Sequence, residues 1–513
     1  MTIPQPFVSL SHLIDMNASA RPFDIAWSDA RGEYTWRQFA DDVNTNANTL
    51  TDLGLVKGEV VAMLADSSYW TWHMAFGAIR AGGVVASLNT MLHPTVVAST
   101  LTKSGASLLV VSAKFFDLAE AALALLPVGE RPRLVTATGD LPGSLDFEAA
   151  RQMASAEPPA VVLEAHDGFT VVYSSGTTGV PKGILHTHGA RLAMAASYAS
   201  AYEFDPWTRL YLTTPPHTNG SWMVVLPAIY VAARAHVTDG FDVDQFLADV
   251  ESYRPTFSFV VPTIGARLLK HPRVAEVDWS CFQFILTSGA PMPIEMKRQL
   301  RELSGNALGE AWGFSEGVSS VLHPRDMGDR LDSVGRPMVG CEFRVIDDEG
   351  RELGRGQTGE LVGRSNFMLC EYHHEQAATE ALIWTSPEGG VYLRTGDLGQ
   401  IDDDGWISVR GRKKDMIISG GLNIYPIDIE DVLRRQPAVE ECAVVGVPHP
   451  DWGETPVAFV VPASGVVVQT QELREAANRD LGRHQRISEI RLIDQLPRNT
   501  LGKVMKHQLL ESS

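Results

Sequence analysis

The sequence predicts an α/β protein: a large N-terminal domain of parallel-rich sheets flanked by helices, carrying a small β-rich subdomain, followed by a small α+β C-terminal domain. Three observations carry this reading. At 513 residues the chain exceeds what one hydrophobic core organises, so two or more domains are expected. From about residue 35 to 170, helix-like stretches alternate with short β-branched runs, the pattern of parallel strands with helices on the sheet faces. After Gly340 the texture changes, and strand and turn signals crowd together.

The elements follow in order. Residues 36–53 have helical apolar spacing, with Thr35 placed as an N-cap. Residues 60–64, 84–86 and 108–111 are short apolar runs expected as buried strands, and 257–261 and 284–287 continue the pattern. Beyond residue 340, the runs 343–346 and 359–362 and the turns 347–350 and 402–405 predict hairpins of a β-rich subdomain covering about 340–410. A last block opens near Gly411-Arg412-Lys413-Lys414-Asp415. It predicts a strand at 416–419, a helix at 426–435, strands near 442–445 and 457–461, a helix at 471–481 and a terminal helix. The expected domains are therefore 1–413 and 414–513.

Composition narrows the function classes. A hydrophobic fraction of 44% with 20% charged residues is ordinary for a soluble enzyme. A formal charge of −19 speaks against nucleic acid, which needs a basic face. Cys281, Cys341, Cys370 and Cys442 lie far apart without ligand spacing and read as reduced thiols. The start lacks a signal peptide, no apolar stretch is long enough to span a bilayer, and the end is no peroxisomal tripeptide. A cytoplasmic protein is expected, and a homodimer is compatible with the sequence.

The most informative stretch is Tyr173-Ser174-Ser175-Gly176-Thr177-Thr178-Gly179-Val180-Pro181-Lys182-Gly183, which follows the strand-like 169–172. Small residues let backbone N–H groups approach an anion, hydroxyls add donors, and Lys182 brings a charge. That is a phosphate cradle. It is not a P-loop, because the lysine follows Pro181 and no hydroxyl stands beside it to hold magnesium; nor does its glycine spacing fit a dinucleotide fingerprint. The run resembles the signature of the adenylate-forming superfamily, in its acyl- and aryl-CoA synthetase branch, and further segments resemble that family's motifs in family order along nearly the whole chain.

The resemblance implies a site for ATP. Ser174, Ser175, Gly176, Thr177, Thr178, Gly179 and Lys182 would hold its phosphates. Thr287-Ser288-Gly289-Ala290-Pro291 would pack backbone against adenine. Gly309-Glu310-Ala311-Trp312-Gly313-Phe314-Ser315-Glu316 is similar to the aromatic-Gly-x-Thr-Glu motif, with tryptophan for the usual tyrosine and serine for threonine. Trp312 would stack near adenine, Ser315 would donate to the α-phosphate, and Glu316 would bind Mg2+. Asp397, in Thr395-Gly396-Asp397, would accept from the ribose hydroxyls, and Arg412 would make a second ribose contact. Lys503, in the closing Pro497-Arg498-Asn499-Thr500-Leu501-Gly502-Lys503, would be the catalytic cation. Its ammonium would stabilise charge on the oxyanions when a carboxylate attacks the α-phosphorus.

The family further implies two half-reactions: a carboxylic acid and ATP give acyl-adenylate and pyrophosphate, then a thiol displaces AMP. Between them the small domain would rotate about a hinge at Lys414. Ser419, Gly420 and Gly421 would wall a pantetheine tunnel, and Trp452 would lie near coenzyme A. In Thr214-Pro215-Pro216-His217-Thr218-Asn219-Gly220, His217 would lie against the carboxylate. No aspartate stands there to pair with a substrate ammonium, so an amino acid is disfavoured. The acyl pocket would be lined by His217, Asn219, Gly220, Ser221, Trp222, Val260, Val261, Thr263, Ser288, Trp312 and Gly313. A bulky aromatic, alicyclic or medium-chain acid is expected, with Trp222 blocking a long straight tunnel. Coenzyme A is the favoured acceptor because no carrier or reductase domain follows Ser513. A stand-alone enzyme loading a carrier protein, and a non-catalytic nucleotide sensor, are the alternatives; Lys503 and Glu316 argue against the sensor.

Overall fold

The computed structural model describes residues 7–137, 143–174, 182–420, 422–498 and 503–511. The expected α/β architecture is what the chain adopts. One sheet has the strand order Glu371–Tyr372, Lys182–Thr187, Gly168–Ser174, Val84–Ser87, Val60–Leu64, Leu108–Val111, Arg133–Thr136, Leu145–Asp146. Its strands run parallel from Gly168–Ser174 onward, and the first two strands are antiparallel additions. Val60–Leu64 sits mid-sheet and is buried at every position, which explains its unbroken apolar run.

A second large sheet runs parallel through Leu308–Phe314, Phe284–Thr287, Phe257–Phe259, Arg209–Leu212, Arg234–Val237 and Ile25–Asp29. Antiparallel strands close both of its edges. Helices share one core with strands of both sheets, and the capping signal at Thr35 works as read. Thr35 accepts from Gln38 N, Gln38 returns a bond to the Thr35 backbone, and the helix Trp36–Asp52 buries Trp36, Phe39, Val43 and Leu50.

The β-rich subdomain is a sheet of Cys341–Ile346, Gly359–Ser365, Val391–Ile401 and Ile383–Thr385, with Ile407–Arg412 paired to Val391–Ile401. From Arg412 the chain passes through a single 3-10 turn, Lys413–Asp415, into the C-terminal sheet, which begins at Ile417–Ser419. That sheet and the helices Pro426–Arg434 and Thr470–Asp480 enclose a core of their own, including Ile417, Ile429, Leu433, Val444 and Val460. An ion pair between Lys270 and Glu440, at 2.8 Å, joins the C-terminal part to the N-terminal one.

Candidate active site

Ser315, Glu316 and Gly317 form the turn between the paired strands Leu308–Phe314 and Val318–Leu322. Gly317 has φ +111°, and a Cβ there would lie 2.3 Å from the carbonyl oxygen of Phe367, so only glycine fits. The turn is clamped from outside: Ser365 Oγ donates to Gly317 O at 2.5 Å and Leu369 N to Glu316 O at 2.7 Å. The Glu316 side chain is 9% exposed, and Tyr372 Oη donates to its Oε1 at 2.6 Å. Burial pushes the Glu316 carboxyl up, against the pull of Tyr372 and the charges of Arg412 and Lys182. An ionised carboxylate has about four lone-pair sites, so Glu316 retains acceptor capacity for a cation.

Lys182 opens the strand Lys182–Thr187 and pairs in register with Ser174, so the signature run joins two antiparallel strands. Its ammonium lies 4.7 Å from the Tyr372 ring centroid. Ser175, Gly176, Thr177, Thr178 and Gly179 lie outside the described residues, as does Gly421. Tyr372 carries no motif of its own. Only the pairing of Tyr372 with Ile184 brings it beside Lys182 and Glu316, and nothing local in the sequence marks it.

Asp397 and Arg412 are directly opposed on neighbouring strands. Arg412 Nε reaches Asp397 Oδ1 at 2.5 Å, while the indole Nε1–H of Trp312 donates to Oδ2 at 2.9 Å. Burial raises the Asp397 carboxyl, opposed by Arg412, Trp312 and Lys503. Lys503 is itself half-buried here. Burial and then the charge of Arg412 pull its ammonium down, while Asp397 and Asp415 hold it up. The C-terminal part is therefore docked with Lys503 in the neighbourhood of Arg412, Asp397 and Asp415. Trp312 stands with its ring near Phe343, centroids 5.4 Å apart, and its polar edge on Asp397. Ala311 is buried and Gly313 exposed on the same strand. Glu310 is turned inward and forms a buried ion pair with Lys297, so its carboxylate is already engaged.

On the acid side, His217 precedes the helix Asn219–Tyr230, whose N-cap Thr218 accepts from Ser221 N. His217 Nε2 is buried without a partner among the described residues, and burial lowers the ring's pKa to about 4, leaving it neutral at neutral pH. A Cβ on Gly220 would lie 2.6 Å from the Phe259 ring, so glycine lets the helix start press against that strand. Val261 and Thr263 begin the next helix, and Val261 packs near Gly289 of the half-open 288–291 turn. Trp222 lies deeper, 1% exposed, its ring against Trp72, Phe76 and Phe169. It belongs to the aromatic core behind the acid segment. Ser419 ends a short C-terminal strand and Gly420 turns away from it, where Gly420 N donates to Trp452 O at 2.8 Å and Trp452 is 58% exposed. Lys414 lies in the connecting turn, where burial lowers its pKa.

A turn-borne acid, a buried acid paired with an arginine and a docked lysine thus share this two-part α/β fold. Residues 14–373 match the AMP-binding enzyme family and residues 428–503 the AMP-binding enzyme C-terminal domain. The chain belongs to the AMP-binding enzyme family, in its acyl- and aryl-CoA synthetase branch. It is 33% identical over 485 residues to a long-chain-fatty-acid–CoA ligase of Mycobacterium tuberculosis, covering 93% of this chain and 92% of that one. It is 30% identical to an indoleacetate–CoA ligase of Aromatoleum aromaticum, with 97% of each covered. ATP-bound MatB from Rhodopseudomonas palustris has a similar structure, with TM-score 0.88, 27% identity and 98% of each chain covered.

Proposed function

We propose that this chain is an AMP-forming acid–thiol ligase that joins a bulky carboxylic acid to coenzyme A. The observation that carries the reading is the convergence of side chains widely separated in sequence. Tyr372 bonds Glu316 at 2.6 Å and carries the Lys182 ammonium 4.7 Å from its ring centroid, while Arg412 and Trp312 meet on Asp397.

Each group has a part. Asp397, oriented by Arg412 and Trp312, accepts from the ribose hydroxyls and so places the α-phosphate. Ser315 donates to that phosphate. Glu316, steadied by Tyr372, would hold Mg2+ against the phosphates; one carboxylate suffices, because Mg2+ keeps several waters and takes its other ligands from phosphate. When bound, the ion would neutralise charge leaving with pyrophosphate. Lys503 supplies an ammonium where the attacking carboxylate and the α-phosphoryl oxygens bring like charges together. Neutral His217 adds no charge beside the acid. The protein contributes position and field, with no covalent nucleophile.

The second half-reaction would use the other face of the C-terminal part, where Gly420 and Trp452 offer a backbone-rich, half-open surface, after rotation at Lys414. Relatives that are CoA ligases support coenzyme A as the acceptor. The test is incubation with ATP, Mg2+ and a panel of acids, with and without coenzyme A. Expected are acid-dependent pyrophosphate and AMP, with a thioester only when coenzyme A is present. ATP binding without turnover on any acid would overturn the reading, and adenylate without thioester would move the acceptor to a carrier protein.

A further inference from the structure

Arg191 lies on the helix His188–Ala201, is 0% exposed, and has no carboxylate partner among the described residues. Its Nε and Nη2 donate to Thr170 Oγ1 at 3.1 and 2.9 Å, and Nη1 donates to Met194 Sδ at 3.4 Å and to Asn219 Oδ1 at 2.9 Å. A guanidinium held in the interior by neutral groups alone is costly, and apolar residues of similar volume would commonly serve stability as well or better. The charge therefore calls for a role other than holding the core together.

The bond to Asn219 supplies one. Guanidinium has donors and no acceptor, so the Asn219 atom facing it must be the amide oxygen; chemistry settles the orientation that is otherwise ambiguous for an amide. With Oδ1 turned inward to Arg191, the Nδ2 group faces the other way. Asn219 is partly exposed, and its Nδ2 has no acceptor among the described residues. Two residues before it, His217 Nε2 is buried and equally without a partner among the described residues. The acid segment thus holds unanswered polar groups beside Gly220, where the helix start presses against the buried Phe259 ring.

Resting on the ligase reading above, we infer that Arg191 is a positioning residue that locks Asn219 as a donor into the acyl pocket, so that the acid taken carries an oxygen acceptor on its tail. A keto, hydroxyl or second carboxylate oxygen answers Nδ2–H; a plain hydrocarbon tail leaves it unpaired. A site built to hydrogen-bond a substrate rejects the analogue that lacks the group, because its own donor is then stranded.

The experiment compares matched acids of different tail: hexanoate, 5-oxohexanoate and adipate, and 3-phenylpropanoate against 3-(4-hydroxyphenyl)propanoate. The readouts are acid-dependent ATP–pyrophosphate exchange and, independently, thermal shift by each acid with a non-hydrolysable ATP analogue. In the wild type at least one oxygenated acid should exceed its plain partner by roughly 10- to 100-fold in kcat/KM. Adipate against 5-oxohexanoate separates an anionic acceptor from a neutral one. Asn219→Leu should collapse the preference toward unity. Arg191→Leu should reduce it, because the amide is then free to turn; should that variant not fold, Asn219→Leu still decides. Plain acids matching their oxygenated partners in both readouts, or a preference fully kept in Asn219→Leu, overturns the inference. Exchange with no acid, alongside a binding preference that Asn219→Leu removes, would sink the ligase reading and leave this one standing.

Discussion

Replacing Trp312 by phenylalanine separates two roles that the same side chain could play, in the nucleotide site or in the acyl pocket. The substitution keeps a ring against Phe343 and deletes one interaction, the Nε1–H bond to Asp397 Oδ2 at 2.9 Å. Asp397 is 6% exposed, so water replaces that donor poorly. A hydrogen bond to a charged group of this kind contributes about 1.5–3 kcal/mol. If Asp397 holds the ribose, the KM and Kd for ATP should rise roughly 10- to 150-fold. The KM for the acid should move much less. There is also a pH signature. Asp397 must be ionised to accept from ribose, and burial already raises its pKa. Losing the indole donor raises it further, so ATP binding in the variant should fail on the acid side at a higher pH than in the wild type. ATP–pyrophosphate exchange at saturating acid and calorimetric ATP titration from pH 5 to 8 measure both. An unchanged ATP constant with a raised acid KM would refute the reasoning and place Trp312 in the acyl pocket.

Other predictions follow from the same geometry. Lys503→Ala should slow adenylation by about 10²–10³-fold or more while sparing thioester formation from supplied acyl-adenylate; equal losses would contradict a lysine used in one half-reaction. Tyr372→Phe should raise the Mg2+ concentration needed for half-maximal rate, and Glu316→Gln should raise it more, both read from Mg2+ titrations at fixed ATP. His188 is 0% exposed with neither ring nitrogen partnered among the described residues, and burial lowers its pKa from 6.5 to about 4. The unfolded chain therefore binds the extra proton first, and this histidine's contribution falls as pH drops through 6.5 toward 4. At pH 5.5 that cost is about 1.4 kcal/mol. His188→Phe should accordingly gain about that much in urea stability at pH 5.5 relative to pH 7.5; an identical gain at both pH values would refute the assignment.

What was legible in the sequence was whatever is encoded locally. The capping pair Thr35 and Gln38, the buried run 60–64 and the turn-rich texture after Gly340 each depend on neighbours within a few residues. Glu316, Asp397, Arg412 and Lys503 could be named at all because each sits in its own short family-like motif. What escaped depends on contacts between distant segments. Tyr372 reaches Glu316 only because a two-residue strand pairs at the sheet edge. Arg191 is one cation on an ordinary helix until its bond to Asn219, on the next helix, is seen. Glu310 and Trp222 show the converse. Both stand inside motif-like segments, yet Lys297 and the Trp72–Phe76–Phe169 cluster turn their side chains to the interior. A motif states which residues are near in sequence; it does not state which way each one faces.

The central claim is that this site joins a carboxylate oxygen to the α-phosphorus of ATP, and the path of that oxygen tests it most directly. An acid labelled with 18O in its carboxylate, turned over with unlabelled ATP and coenzyme A, should deliver one 18O into AMP and none into pyrophosphate, as mass spectrometry would read. AMP free of label, or label in inorganic phosphate alongside ADP, would contradict the account.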